Sequence, residues 1–156
     1  MLKSFKKLVD QLTDNTPDDV NADSQLAEAA AVLLVVAATM DGEFDQRERD
    51  AALKSLSGHF DISAFEAQDL LRKGEQKAGS AVEYSRYTIA IRSRYSQEQR
   101  IEIIEMLWEV VLADDVLHAY EANLMRRMGG LIHVSDRENG EARKRVEERR
   151  RGNVVG

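Results

Sequence analysis

One pattern occurs twice in this chain, 73 positions apart. The first copy is Met40-Asp41-Gly42-Glu43-Phe44-Asp45-Gln46-Arg47-Glu48, and the second is Ala113-Asp114-Asp115-Val116-Leu117-His118-Ala119-Tyr120-Glu121. Each follows an apolar run with helical character, opens on an Asp, turns, and reaches a Glu seven residues later. The register extends beyond the turns. It pairs Leu33 with Met106, Leu34 with Leu107, Ala37 with Val110, Asp41 with Asp114 and Glu48 with Glu121. After a one-residue slip, His59-Phe60-Asp61-Ile62-Ser63 pairs with Leu131-Ile132-His133-Val134-Ser135. A helix–acidic turn–helix unit cannot bury its own apolar face, so two copies in one chain imply hairpins that pack on each other. One pair of repeats is too few for a solenoid.

Local start signals divide the rest of the chain. In a capping box, Ser or Thr stands three residues before Glu or Gln, and each side chain satisfies an orphan backbone donor of the other. Ser63/Glu66, Ser80/Glu83, Ser96/Gln99 and Ser135/Glu138 fit this spacing. Together with the acidic turns they predict helices near 24–40, 46–58, 63–77, 81–93, 97–113, 119–131 and 136–149. Gly58, Gly79 and Gly129-Gly130 fall where helices should end. The expected fold is all-α: one helical domain of two pseudo-symmetric hairpins with linking helices, about seven to eight helices in all.

Composition narrows the chemistry. At 156 residues, 43% of them hydrophobic, the chain can bury a real core. Its single Pro, few aromatics and many Ala, Leu, Glu and Arg suit helices. With no cysteine, disulfides, thiolate metal sites and Cys nucleophiles are excluded, which fits a cytoplasmic setting. A net charge of -6 argues against nucleic acid as a partner. The apolar run Ala29 to Ala38 is too short to span a bilayer, and no signal peptide is visible after Met1.

The ends read differently from the centre. Leu2, Phe5, Leu8, Val9 and Leu12 fall at helical spacing beside Lys3, Lys6 and Lys7, an amphipathic helix suited to packing on the domain, to a partner or to a membrane surface. Thr13 to Asp23, with Pro17, reads as a linker, so residues 1–23 form an N-terminal appendage. Residues 24–135 form the domain. Residues 136–156 are a charged tail, a solvated helix with only Ala142 and Val146 on an inner face.

The acidic turns admit two readings. Asp45 and Glu48 have the spacing of an N-cap with its capping-box Glu, and acids in a first turn favour the macrodipole. Glu121 takes the same place in the second copy. Capping leaves Asp41, Glu43, Asp114 and Asp115 unexplained, because carboxylates at a helix C-terminus oppose its dipole. A hard cation bound between two adjacent turns would compensate them, as would the nearby Arg47, Arg49, Arg126 and Arg127. The turns are too short for an EF-hand. Ca²⁺ suits an all-oxygen set best, then Mg²⁺ or Mn²⁺, while His118 would admit a transition metal. Catalysis has little support. There is no Glu-x-x-His, no phosphate-cradling Gly-rich loop and no Ser–His–Asp set, which leaves a metal-assisted hydrolase as the weaker alternative. His59 and His133, near helix ends, read as capping or half-buried side chains, and Trp108 and Met106 as core.

These residues, with Glu98-Gln99-Arg100-Ile101, Leu107 to Asp114 and Tyr120-Glu121 followed by Leu124 to Met128, resemble the TerB-like family of bacterial tellurite-resistance and stress-response proteins over residues 25–135. The resemblance implies an all-α domain of duplicated hairpins whose acidic cluster binds metal. On this chain that cluster is Asp41, Glu43, Asp45, Glu48, Asp114 and Glu121, with Asp115 beside it. It also implies a non-enzymatic module that docks protein partners, membrane-bound Ter components among them. The second turn departs from the family pattern, with Asp114-Asp115 where Asp-Gly is expected and His118 where the first copy has Asp45. The metal-independent alternative is a helical scaffold whose acidic turns are caps.

Overall fold

The computed structural model describes residues 17–40, 44–78, 81–114 and 119–155. Seven α-helices run through them: α1 Pro17–Met40, α2 Gln46–Phe60, α3 Ala64–Lys77, α4 Ala81–Arg94, α5 Gln97–Val111, α6 Ala119–Leu131 and α7 Asp136–Val155. A 3₁₀ turn, Leu112–Asp114, follows α5, and the described residues include no strand. No helix among them is long and apolar enough to cross a membrane.

The Ala-rich run explains the architecture. From Ala29 to Ala38 every residue of α1 is buried, on all sides of the helix. A helix apolar all round must lie at the centre of a bundle. α1 accordingly touches α2, α3, α4, α5 and α6. Its counterpart α5 buries Ile103, Ile104, Met106, Leu107, Trp108, Val110 and Val111.

The repeat is larger than a hairpin. The two most extensive interfaces are α1 with α3 and α5 with α7, so each unit has three helices and α4 links them. With a shift of 72, the buried Ala67 and Gly74 of α3 correspond to the buried Asn139 and Val146 of α7. Lys77, which ties α3 to Glu28 of α1, corresponds to Arg149, which ties α7 to Glu105 of α5 at 2.9 Å. Tyr87 donates to Glu28 Oε1 at 3.2 Å and pins α4 to the same carboxylate.

Two readings of the chain ends are corrected here. Residues 17–23, read as linker, are the first turns of α1. Pro17 stands at the first helical position, where its missing N–H is no loss and its fixed φ is already helical. The C-terminal segment, read as a solvated helix, is docked along α5. Asn139, Ala142 and Val146 are buried in that contact, and Arg143 lies 5.5 Å from the Trp108 ring centre. The N-terminal amphipathic helix expected before Thr13 lies outside the described residues.

Helix starts follow the local signals. Ser96 and Gln99 form a full capping box, with Gln99 N donating to Ser96 Oγ at 3.2 Å and Ser96 N to Gln99 Oε1 at 2.9 Å. Ser63 Oγ accepts from Glu66 N at 3.1 Å. Glu138 Oε1 accepts from Ser135 N at 3.0 Å, and that bond, with those from Gln97 and the Ser135 hydroxyl, holds its carboxyl below the usual range. Ser80 lies outside the described residues. Helix ends are another matter. Among the described residues the left-handed ones are Asp61 (φ 51°) and His133 (φ 57°), equivalent positions of the two units, and none is a glycine; Gly79 lies outside the described residues. Asp and His tolerate that conformation better than most side chains. Gly58 and Gly129-Gly130 remain within their helices.

Candidate metal centre

Each acidic turn joins the end of a central helix to the start of the next. In the first unit, α1 ends at Met40 and Asp45 caps α2. Asp45 Oδ1 accepts from Glu48 N at 2.8 Å, and Asp45 N donates to Glu48 Oε1 at 3.3 Å. The predicted capping box is therefore formed, and each acid commits one oxygen to it. Arg49 turns away from these carboxylates, pairing with Glu75 at 2.6 Å and lying 4.7 Å from the Phe44 ring centre. In the second unit, Asp114 closes the 3₁₀ turn, and Glu121 stands in the first turn of α6 with only 4% of its surface exposed.

A small cleft joins the two units. It is lined by Leu34, Ala37 and Ala38 of α1, Leu107, Val110 and Val111 of α5, Glu48 of α2 and Leu124 of α6. Leu34, Ala37 and Ala38 are the repeat equivalents of Leu107, Val110 and Val111. The last turns of both central helices thus face one another across the pseudo-two-fold, and Glu48 borders the same space. Residues 41–43 and 115–118, which follow the two helices in sequence, lie outside the described residues. The cleft is too narrow for an organic ligand, and its polar side chain is the carboxylate of Glu48.

Among the candidate ligands, the described side chains are Asp45, Glu48 and Glu121. Asp41, Glu43 and Asp115 lie outside the described residues, as do His118 and the side chain of Asp114. Among the described residues no three carboxylates or histidines converge as a metal site. The donor chemistry suits a hard cation, since every candidate is a carboxylate. The structure brings Glu48 to the cleft and buries Glu121 at the equivalent place in the other unit.

A second charged cluster escaped the sequence reading. Along α5, Glu102, Glu105 and Glu109 form one edge at helical spacing. His59 of α2 bridges Glu102 and Glu109 at 2.9 and 2.7 Å, and Arg149 of α7 reaches Glu105 and Glu109. Burial of the His59 ring works against its charged form, but these two carboxylates outweigh it and raise its pKa to about 9. His59 is therefore a cationic clamp between helices.

The family profile for Tellurite resistance protein TerB matches residues 27–144, about three quarters of the chain. This chain belongs to the TerB family. The match begins on the buried run of α1 and ends inside α7, so the docked C-terminal helix belongs in part to the TerB unit. No curated protein and no solved structure matches the chain.

Proposed function

We propose that this TerB protein is a non-enzymatic, cytoplasmic module that binds a divalent cation through its paired acidic turns and docks protein partners. Its role in stress or tellurite tolerance follows from those contacts. The observation that carries this reading is the shared cleft. Ala37 and Ala38 lead into one acidic turn, Val110 and Val111 lead into the other, and all four line one space with Glu48. Two turns that start from one cleft can pool Asp41, Glu43, Asp114 and Asp115 with Glu48 and Glu121. A hard cation of the Ca²⁺ type takes six to eight such oxygens, with Mg²⁺ and Mn²⁺ as smaller substitutes. Binding would also relieve the opposition between C-terminal carboxylates and the dipoles of α1 and α5. The protein would then act by cation-dependent positioning of its two units. Tellurite reduction is not part of this proposal, since the chain has no cysteine.

The test is calorimetric titration of metal-stripped protein with Ca²⁺, Mg²⁺ and Mn²⁺, repeated on Asp41→Ala and Asp114→Ala. Saturable binding lost in either variant is the expected result. No heat at millimolar ion would overturn the cation reading. One observation favours the scaffold alternative: the formed capping box already accounts for Asp45 and Glu48 without a metal.

A further inference from the structure

Three large apolar side chains are well exposed among the described residues: Met40, Phe65 and Ile89. Ile89 differs from the others in what surrounds it. It lies on α4, the helix that links the two repeat units, with 51% of its surface exposed. Thr88 and Ile91 face the core, and Tyr87 is half-buried on the same side. At 100° per residue this puts Ile89 at the middle of the outer face, with Arg86 and Arg92 one turn before and after it. Both arginines are exposed, and so is Arg94. Among the described residues none of the three side chains has an ion pair or hydrogen bond. From Ser85 to Arg94 the helix contains no acid. α6, which touches α4, carries Arg126 and Arg127, also exposed and with no side-chain ion pair among the described residues, and its one acid is the buried Glu121.

A chain of net charge -6 thus keeps three exposed arginines on the last ten residues of α4, with an apolar side chain midway between Arg86 and Arg92; the one acid in that helix is Glu83, in its first turn. Five other arginines, Arg49, Arg137, Arg143, Arg145 and Arg149, pair with glutamates. We infer that the Arg86–Ile89–Arg92 face of α4 is a docking surface for an acidic protein segment. The occupant carries two carboxylates about 9 Å apart, matching the rise from Arg86 to Arg92, with an apolar residue between them to cover Ile89. Arginine around an apolar centre is the composition of protein-interface hot spots, where the guanidinium takes carboxylates in bidentate pairs. The stripe also favours a protein segment over an extended anionic surface. A peptide meets only the stripe, and salt screens charges beyond about 8 Å, whereas a membrane or a duplex would also face the acidic remainder of the protein. The inference rests on reading the protein as a partner-binding module and does not depend on the cation.

The experiment uses the full chain and a labelled helical peptide carrying the pattern Glu-x-x-Leu-x-x-Glu, with fluorescence anisotropy as the readout, in EDTA and again in Ca²⁺. A 20-nucleotide single-stranded DNA and phosphatidylglycerol vesicles serve as competing probes. Saturable peptide binding is expected, weakened about ten-fold or more by Arg86→Glu with Arg92→Glu and weakened also by Ile89→Ala. Arg86→Lys with Arg92→Lys should retain part of it, and thermal unfolding should show all variants folded. Peptide binding that is absent, or indifferent to the charge reversal, would overturn the inference. So would DNA or vesicles that bind more tightly than the peptide with the same arginine dependence, or a charge reversal that acts only by dissolving self-association in sedimentation velocity. Failure here with intact Ca²⁺ titration leaves the cation proposal standing, and the reverse pattern leaves this one.

Discussion

Trp108 donates through its indole Nε1 to Asn139 Oδ1 at 2.7 Å, and the Asn139 amide donates in turn to the Met125 carbonyl at 2.8 Å. One buried amide therefore joins α5, α6 and α7. It gives the charged C-terminal helix a fixed place although that helix has few apolar residues to bury. Gly129 makes room for it, since a Cβ there would stand 2.8 Å from Asn139 Nδ2.

Asn139→Ala removes the indole's acceptor in a buried setting, which costs about 1–3 kcal/mol. Asn139→Asp should cost more, because a carboxylate cannot donate to Met125 and would be a buried charge. Urea unfolding followed by the emission of Trp108 measures both. A change within the error of the extrapolation for Asn139→Ala would show that α7 is held by other contacts.

His59 makes stability depend on alkaline pH. Its folded pKa of about 9 lies above its ordinary value of 6.5, so the charged ring stabilises the fold fully below pH 6.5. That contribution falls as pH rises through 9. Its full size is on the order of 3 kcal/mol, since each pKa unit is about 1.4 kcal/mol. An NMR titration of the imidazole should give a midpoint near 9, and His59→Gln should flatten the stability profile between neutral and alkaline pH. A midpoint near 6.5 would mean that Glu102 and Glu109 do not hold the ring in solution.

Gly74 and Gly58 should respond in opposite directions to alanine. A Cβ on Gly74 would stand 3.0 Å from the Ala31 carbonyl carbon and oxygen and 3.2 Å from Val32 N, all backbone atoms of α1. Neither backbone can give way locally, so Gly74→Ala forces α3 off α1 and should cost about 1–3 kcal/mol. Gly58 has nothing within 4 Å of its Cβ position. Gly58→Ala in a helix interior should stabilise by about 0.5–1 kcal/mol. Paired thermal melts of the two variants decide this, and equal signs would mean that the α1–α3 approach is looser than the structure has it.

The contrast between Ser96 and Asn139 explains how much of this fold could be read in advance. Ser96 meets Gln99 three residues away, and Asp45 meets Glu48 likewise, so helix starts are local events with local signatures. The buried run of α1 is equally plain, because an all-apolar helix has one place to go. Asn139 meets Trp108 across 31 residues, and no periodicity marks a polar residue as the buried one. The docking of α7 was illegible for that reason, and so was the clamp of His59 on Glu102 and Glu109. Of the candidate site, the correspondence of Glu48 with Glu121 in sequence was legible from the repeat. The actual approach of Ala37 and Ala38 to Val110 and Val111 needed the packing of α1 on α5.

Asp45 offers the sharpest separation of capping from ligation. Its Oδ1 caps α2, and Asn caps a helix about as well as Asp, so Asp45→Asn should leave stability nearly unchanged. Asp45→Ala should lose about 1 kcal/mol, the usual value of a lost N-cap. If Asp45 also holds the cation, the Asn variant loses a charge from an all-carboxylate set. Its Ca²⁺ affinity should then fall while its melting temperature without metal does not. Calorimetry and metal-free thermal unfolding on both variants give the answer. Equal Ca²⁺ affinity in the wild-type and Asp45→Asn proteins would confine Asp45 to its cap and reduce the ligand set to the residues around it.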